Sequence, residues 1–195
     1  MEAQPNELTS RLAVPEDIPA LTALMDAAIA ELQRAYLDDA QIDSSRAIMG
    51  IDTQLIEDGT YFVVESGPEI AGCGGWSRRA TLYGGNRTPG RDANLLDPAV
   101  DPARVRAMYT HPAHARRGVG RLILSLCEAA AAAEGFTRLS LMSTLSGEPL
   151  YTAYGFQALE RLEDATGGAP VPIVRMEKSI VAETALGASG PRMAG

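Results

Sequence analysis

From Leu8 to Val14 apolar residues alternate with polar ones, the period of a half-buried strand. Pro15 suits the first turn of a helix, and Glu16 and Asp17 sit favourably at its positive end. The period then lengthens: Ile18, Leu21, Leu24, Met25, Ile29 and Leu32 recur at helical spacing. A second helix is expected from Asp43 or Ser44 through Ile48, Ile51, Leu55 and Ile56 to Gly59. "TYFVVES" and "IAGCGGWS", joined by "GPE", predict a hairpin. "RVRAMYTHP" reads as a strand halted at Pro112. Gly120 to Glu134 reads as a helix with Leu122, Ile123, Leu126, Cys127 and Ala130 on one face, closed by Gly135. "FTRLSLMSTL" predicts a strand, "PLYTAYGF" a short helix ending at Gly155, and "QALERLED" and "VPIVRMEKSI" the final strands.

The predicted order is β-α-α-β-β-β-α-β-α-β-β. That is an α/β chain of the α+β kind, a mixed sheet with helices on its faces. One domain is expected over residues 8–180, with a flexible N-terminus at 1–7 and a disordered tail at 181–195. The stretch from Arg79 to Pro102 has no useful period and is rich in Gly, Pro, Asn and Asp. Loops of that length are often functional.

Composition narrows the function classes. The 195 residues are 46% hydrophobic, enough for one sizeable core. No apolar run has the length of a membrane span. The polar, acidic start "MEAQPNELTS" is unlike a signal peptide. Cys73 and Cys127 lie 54 residues apart, outside any Cys/His cluster, and read as reduced core thiols of a cytoplasmic protein. With only two histidines, no metal site is expected. A net charge of −8 argues against a nucleic-acid binder. The charge is uneven, however: from Arg78 to Arg121 there are nine arginines and three aspartates. A positive segment on a negative chain points to an anionic ligand. For Arg78 to Arg91, a solvated charged loop is the competing reading.

The concentrated part of that segment is "HARRGVGRLIL", where a strand passes through a short connection into a helix. A helix start exposes unpaired N–H groups and positive potential, and so favours phosphate oxygens. Gly118 and Gly120 keep side chains from screening the backbone. Arg116, Arg117 and Arg121 are unfavourable for the helix itself, by about 0.3–1 kcal/mol each, and favourable if a polyanion sits among them. A P-loop is excluded because no Gly-Lys-Ser/Thr is present. A dinucleotide fingerprint fits badly, because Gly118-Val119-Gly120 is followed by Leu122 and Ile123 and lies past mid-chain.

"ARRGVG" resembles the acyl-CoA signature of the GNAT (Gcn5-related N-acetyltransferase) superfamily, Gln/Arg-x-x-Gly-x-Gly/Ala, and "THP" before it resembles that family's strand end. "PLYTAYGF" resembles the family's Phe-Tyr-x-x-x-Gly-Phe through Tyr151, Gly155 and Phe156. The element order agrees from about Leu8 to Ile180. The resemblance implies the GNAT fold: a mixed, mostly antiparallel twisted sheet of about seven strands, flanked by about four helices and splayed between the fourth and fifth strands. It implies an N-acetyltransferase, with acetyl-CoA as cosubstrate and a small-molecule or peptide amine as acceptor, acting without metal, nucleic acid or membrane. It leaves homodimerisation open.

Carried over by position, the backbone of Met108, Tyr109 and Thr110 would hold the pantetheine arm and acyl carbonyl. The N–H groups of Arg116, Arg117, Gly118, Val119, Gly120 and Arg121 would cradle the pyrophosphate. Ser146 stands where the family often has Asn against the pantetheine, and Ala115 stands where it has Gln or Arg. Tyr151 would protonate the departing thiolate, with Tyr154 as its neighbouring substitute.

The attacking amine must be neutral, so a base or a water chain has to take its proton. "RVRAMYT" carries no carboxylate. Glu65 is the candidate base, with Asp101 and His111 behind it; a His before Pro at a strand end is more often a turn residue. Trp76 and Tyr36 are candidate walls of the acceptor site. The competing class is an acyl-CoA sensor that keeps the fold without the chemistry.

Overall fold

A computed structural model describes residues 7–180. The ends expected to be flexible, 1–6 of the first and all of 181–195, lie outside the described residues. The strands are β1 (Leu8–Leu12), β2 (Tyr61–Ser66), β3 (Glu69–Ser77), β4 (Ala103–Thr110), β5 (Arg138–Thr144), β6 (Gln157–Asp164) and β7 (Val171–Ser179). The helices are α1 (Ile18–Leu32), α2 (Asp39–Ser45), α3 (Thr53–Glu57), α4 (Val119–Ala133) and α5 (Glu148–Tyr154).

The single helix expected from Asp43 to Gly59 is two short ones. Asp38 caps α2, accepting from Gln41 N at 2.8 Å, while the Gln41 side chain reaches back to Asp38 N at 3.2 Å. Gly50, at φ 125°, breaks the helical path. Asp52 then caps α3 by accepting from Gln54 N at 3.2 Å.

All seven strands form one sheet in the order β1-β2-β3-β4-β5-β7-β6. Every neighbouring pair is antiparallel except β4–β5. That parallel pair holds register only at Ala103↔Leu139 and Arg104↔Ser140. Beyond these residues the strands part, and the β5-facing edge of β4 has no strand partner up to Thr110. On its other edge β4 carries one residue more than β3, since Gly75 pairs with Arg106 and Cys73 with Tyr109. The extra residue is a bulge, with Ala107 at φ 49°. Tyr61 Oη donates to the displaced Ala107 carbonyl at 2.6 Å.

The sheet is covered on both faces. One core joins α1, α2 and α3 to Tyr61, Val63, Cys73, Tyr109 and Ile173. The other joins α4 to Val64, Val105, Leu139, Leu141 and Met176, with Leu150, Tyr151 and Tyr154 of α5 against it. The "GCGG" run on β3 is a packing device. A Cβ on Gly74 would lie 2.7 Å from Met108 Cγ and 2.8 Å from Ile123 Cγ2, so this glycine leaves room for both the bulge and α4.

The stretch 79–102 is tied down along its length. Arg79 Nε meets Asp58 Oδ2 at 2.7 Å, and Ala80 N and Thr81 N donate to Asn94 O and Asp92 O at 2.9 Å each. Asn86 N donates to Ile51 O at 2.9 Å, and Leu96 N to Arg78 O at 2.8 Å. The loop thereby folds back beside α3 and carries Leu82, Tyr83 and Gly84 to the sheet.

Gly75 tests this packing. A Cβ there would press on the backbone carbonyl of Thr60, which cannot swing aside as a side-chain end can. Gly75→Ala should cost about 1–3 kcal/mol, read as a lower midpoint in denaturant with an unchanged slope.

Candidate active site

Two cavities meet where β4 and β5 part. The larger, of about 680 Å³, runs from the α4 start past Ser146 and Tyr151 to Tyr36 and the α1 residues Ala28, Ile29 and Leu32. The smaller, of about 90 Å³, lies between the α2–α3 connection, the loop at Leu82–Gly84, and β4. Met49, Met108, Tyr109, Thr144 and Tyr151 line both. The junction therefore consists of the bulged strand, the end of β5 and one tyrosine of α5.

The anion-binding end is built from backbone. Arg116 at φ 62° and Gly118 at φ 88° take left-handed conformations, turning the chain into α4. The N–H groups of the first turn of α4 have no carbonyl behind them. Gly118 is required by its φ alone, because a Cβ there would meet nothing within 4 Å. Gly120 has a different reason. A Cβ there would lie 2.6 Å from Leu150 Cδ2, so this glycine seats α4 against α5. Ala115, Arg116, Gly118, Val119, Gly120 and Arg121 line the large cavity; Arg117 does not. Arg121 lies over the Tyr154 ring at 5.6 Å.

Tyr151 and Tyr154 have distinct surroundings. Tyr154 Oη donates to Glu128 Oε2 at 2.8 Å, Lys178 pairs with the same carboxylate, and neither cavity includes this tyrosine. Tyr151 packs edge-on against Phe156, with ring centroids 5.8 Å apart, and faces both cavities. Burial pushes its hydroxyl well above the ordinary tyrosine range, with Cys127 adding to the shift. The group is then a neutral donor at any physiological pH. A thiol in such surroundings is displaced the same way; burial carries the Cys73 thiol up to about 12.

Of the expected residues, Met108, Tyr109, Thr110 and Ser146 also line the large cavity, Ser146 Oγ lying 3.0 Å from Thr144 Oγ1. Tyr36, 47% exposed, stands at the α1 end of this cavity. Glu65 and Trp76 line neither cavity. Glu65 pairs with Arg11 Nε at 3.0 Å on the β1 side of the sheet. Trp76 is 2% exposed, in the α4-side core edge-on to Phe136, with Arg78 over its ring at 5.3 Å. Asp101 accepts from Asp97 N at 2.9 Å, and His111 Nδ1 caps a short turn by accepting from Ala113 N at 3.2 Å. No Asp, Glu or His is among the described residues that line either cavity.

Sequence reasoning missed Arg106, whose side chain is 2% exposed and lines the small cavity. Its signal was visible: an arginine between Val105 and Ala107 on a strand expected to be apolar.

The family model described as an acetyltransferase (GNAT) domain matches residues 57–158, just over half of the chain. This chain belongs to the GNAT family. A GCN5-related N-acetyltransferase from Rhodopseudomonas palustris shares the fold at TM-score 0.66 and 18% identity, over 92% of this chain and 99% of that one. The yncA protein from Salmonella typhimurium, solved with acetyl-CoA, superposes at TM-score 0.59 and 19% identity, over 93% and 99%. The paiA N-acetyltransferase from Thermoplasma acidophilum, in complex with coenzyme A, does so at 0.61 and 12%, over 89% and 99%. Among curated protein sequences, none matches this one significantly. The splayed sheet with one parallel pair is that of the GNAT fold, here with five α-helices where about four were expected.

The position of Tyr151 makes a spectroscopic prediction. Its pKa is displaced upward, so its proton is retained through the pH range where an ordinary tyrosine ionises. In an alkaline titration, Tyr151→Phe should remove no tyrosinate absorbance below pH ~10, the unperturbed value.

Proposed function

We propose that this GNAT-family chain is an acetyl-CoA-dependent N-acetyltransferase that passes acetyl directly to a primary amine of a small molecule or peptide. The observation that carries the reading is the junction: Tyr151 faces the large cavity, which ends at the α4 start, and also the small cavity beside β4. The large cavity suits a long, phosphate-ended thioester. The small one suits the attacking amine.

When bound, acetyl-CoA supplies the acetyl thioester. The first-turn N–H groups of α4, with Arg116 and Arg121, hold the pyrophosphate. The unpaired edge of β4 at Met108–Thr110 orients the pantetheine amides and the thioester carbonyl. As the amine attacks, the C–N bond forms and the C–S bond breaks. Tyr151 Oη, kept protonated by burial, gives its proton to the departing sulfur. With no carboxylate or imidazole lining either cavity, the amine's own proton leaves through water. The guanidinium of Arg106 in the small cavity favours the uncharged amine by like-charge repulsion.

The sensor alternative shares the cradle and lacks the turnover. Thiol release from acetyl-CoA, with and without a panel of amines, separates the two; binding without amine-dependent release would overturn the catalytic reading.

Two further outcomes follow. Arg116→Ala and Arg121→Ala should each weaken coenzyme A roughly five- to tenfold, as loss of a charge-assisted contact does, and weaken pantetheine little. Arg117→Ala should have the smaller effect; calorimetry measures all three. Tyr151→Phe should lower kcat about 10²–10⁴-fold, with coenzyme A affinity unchanged, whereas Tyr154→Phe should not. In the native enzyme kcat/KM should climb with pH as the acceptor amine loses its proton, with no decline from Tyr151 below pH ~10.

A further inference from the structure

The small cavity is apolar or neutral on nearly every side: Ile48, Met49, Leu82 and Met142, with Tyr83, Tyr109 and Tyr151. Arg106 is the one charged residue among those lining it. Behind it Asp52, 0% exposed, is shared by two guanidinium groups. Its Oδ1 lies 2.6 Å from Arg91 Nη2 and its Oδ2 lies 2.9 Å from Arg106 Nη2. Arg106 Nη2 donates to the carbonyl of Gly84, so its attraction to Asp52 is charge without a well-aligned hydrogen bond. Arg106 Nε and Arg91 Nη1 are buried with no hydrogen-bond partner. One carboxylate between two arginines leaves one positive charge in excess, next to a cavity that contains no acid.

A structural clamp between α3 and the loop at Arg91 needs only the Asp52–Arg91 pair. Arg91 is 25% exposed and partly solvated, whereas Arg106 is 2% exposed and has to share the Asp52 carboxylate, so the buried charge of Arg106 is incompletely compensated until a further anion reaches it. Burial accordingly pulls the Arg106 pKa down against the opposing effect of Asp52, the direction expected of an under-neutralised cation. An incoming carboxylate can take the free donor capacity of the guanidinium, which is planar and forked to receive it.

We infer that the acceptor is a compact amine that also carries a carboxylate, an amino-acid-like molecule, and that Arg106 binds this carboxylate in the small cavity. The inference rests on the acetyltransferase reading for the amine and on the Arg106 cluster for the carboxylate. The narrow cavity, about 90 Å³ in volume and uncharged apart from Arg106, limits the remainder of the acceptor to a small or slender side chain. Arg91 acts through Asp52: it takes part of that carboxylate's charge and so leaves Arg106 incompletely neutralised, with Nε unpartnered.

The test compares the common L-amino acids with their carboxamides, first as acceptors with acetyl-CoA and then as ligands in calorimetry of the protein saturated with coenzyme A. An amino-acid amide has the less basic amine, so more of it is neutral at a given pH, and chemistry alone favours the amide. Selectivity for the free acid therefore reports recognition. At least one acid should exceed its amide by about tenfold or more in kcat/KM or in affinity, the effect of one charge-assisted hydrogen bond. Arg91→Met and Arg106→Lys should each shrink that acid-to-amide ratio. A purely structural role would lower Tm and leave the ratio where it was.

Equal use of acids and amides, or a ratio unmoved in both variants, overturns the inference while leaving the acetyltransferase reading intact. Acid-selective binding that is lost in Arg91→Met, with no thiol release from acetyl-CoA in the presence of any acid or any amine of the panel, supports the carboxylate site and overturns the acetyltransferase reading. Absence of selective binding and of selective turnover overturns the inference outright.

Discussion

The parting of β4 from β5 after Arg104 and Ser140 is the constraint on which the rest of the molecule depends. Parallel strands ordinarily continue pairing until one of them ends. Here the ladder stops while β4 has six residues still to run, to Thr110, and β5 four, to Thr144. The bulge at Ala107 bends β4 away, and the Ala107 carbonyl, taken by Tyr61, holds the bend in place. Opposite it Gly74 contributes no side chain, so α4 and the displaced Met108 fit on one face of β3. Exposed strand edges inside a protein are costly unless something hydrogen-bonds to them. An amide-bearing chain lying in the gap would meet that need, and the two cavities are the two ends of the same opening.

Helix packing sets what reaches the opening. Gly120 against Leu150 brings α5 close to the α4 start, and this closeness aims Tyr151 at the junction. One helical turn further along, Tyr154 faces Glu128, Lys178 and Arg121. Three positions on a helix are enough to exchange a cavity for an ion-pair network. On the far side, the connection between α2 and α3, the returning loop and β4 line the smaller cavity, β4 supplying its one cation, Arg106. The α4 end of the opening is thus built mostly from backbone, whereas the smaller cavity is lined mostly by side chains. Surface charges act through long-range attraction that salt screens; a buried guanidinium acts on a single partner at short range.

Among the described residues no carboxylate or imidazole lines either cavity, and Arg106 is the charged residue that lines the smaller one. A carboxylate near the amine would hold it as an ammonium ion in a close pair. In the proposed reaction a guanidinium nearby would disfavour the ammonium form, and solvent would take the proton. Acid and cation in such a site are alternative solutions to one problem, the delivery of a neutral nucleophile.

The order of strands and helices, the turn at Arg116–Gly120 and the helix bearing Tyr151 were legible in the sequence. Each depends on contacts within a few residues: apolar period, glycine at positive φ, a Pro or Gly stop. The helix expected from Asp43 to Gly59 failed because its apolar spacing continued through a break that Gly50 and the Asp52 cap made locally. Tertiary structure alone decided the remainder. Glu65 and Trp76 were plausible site residues by type and position, and strand pairing sent one to Arg11 and the other beneath Phe136. Arg106, Asp52 and Arg91 are far apart in the chain and carry no spacing that links them. Only the return of the 79–102 loop over α3 brings them together, because a buried cluster of charge is defined by what surrounds it in space, and a one-dimensional pattern does not encode that.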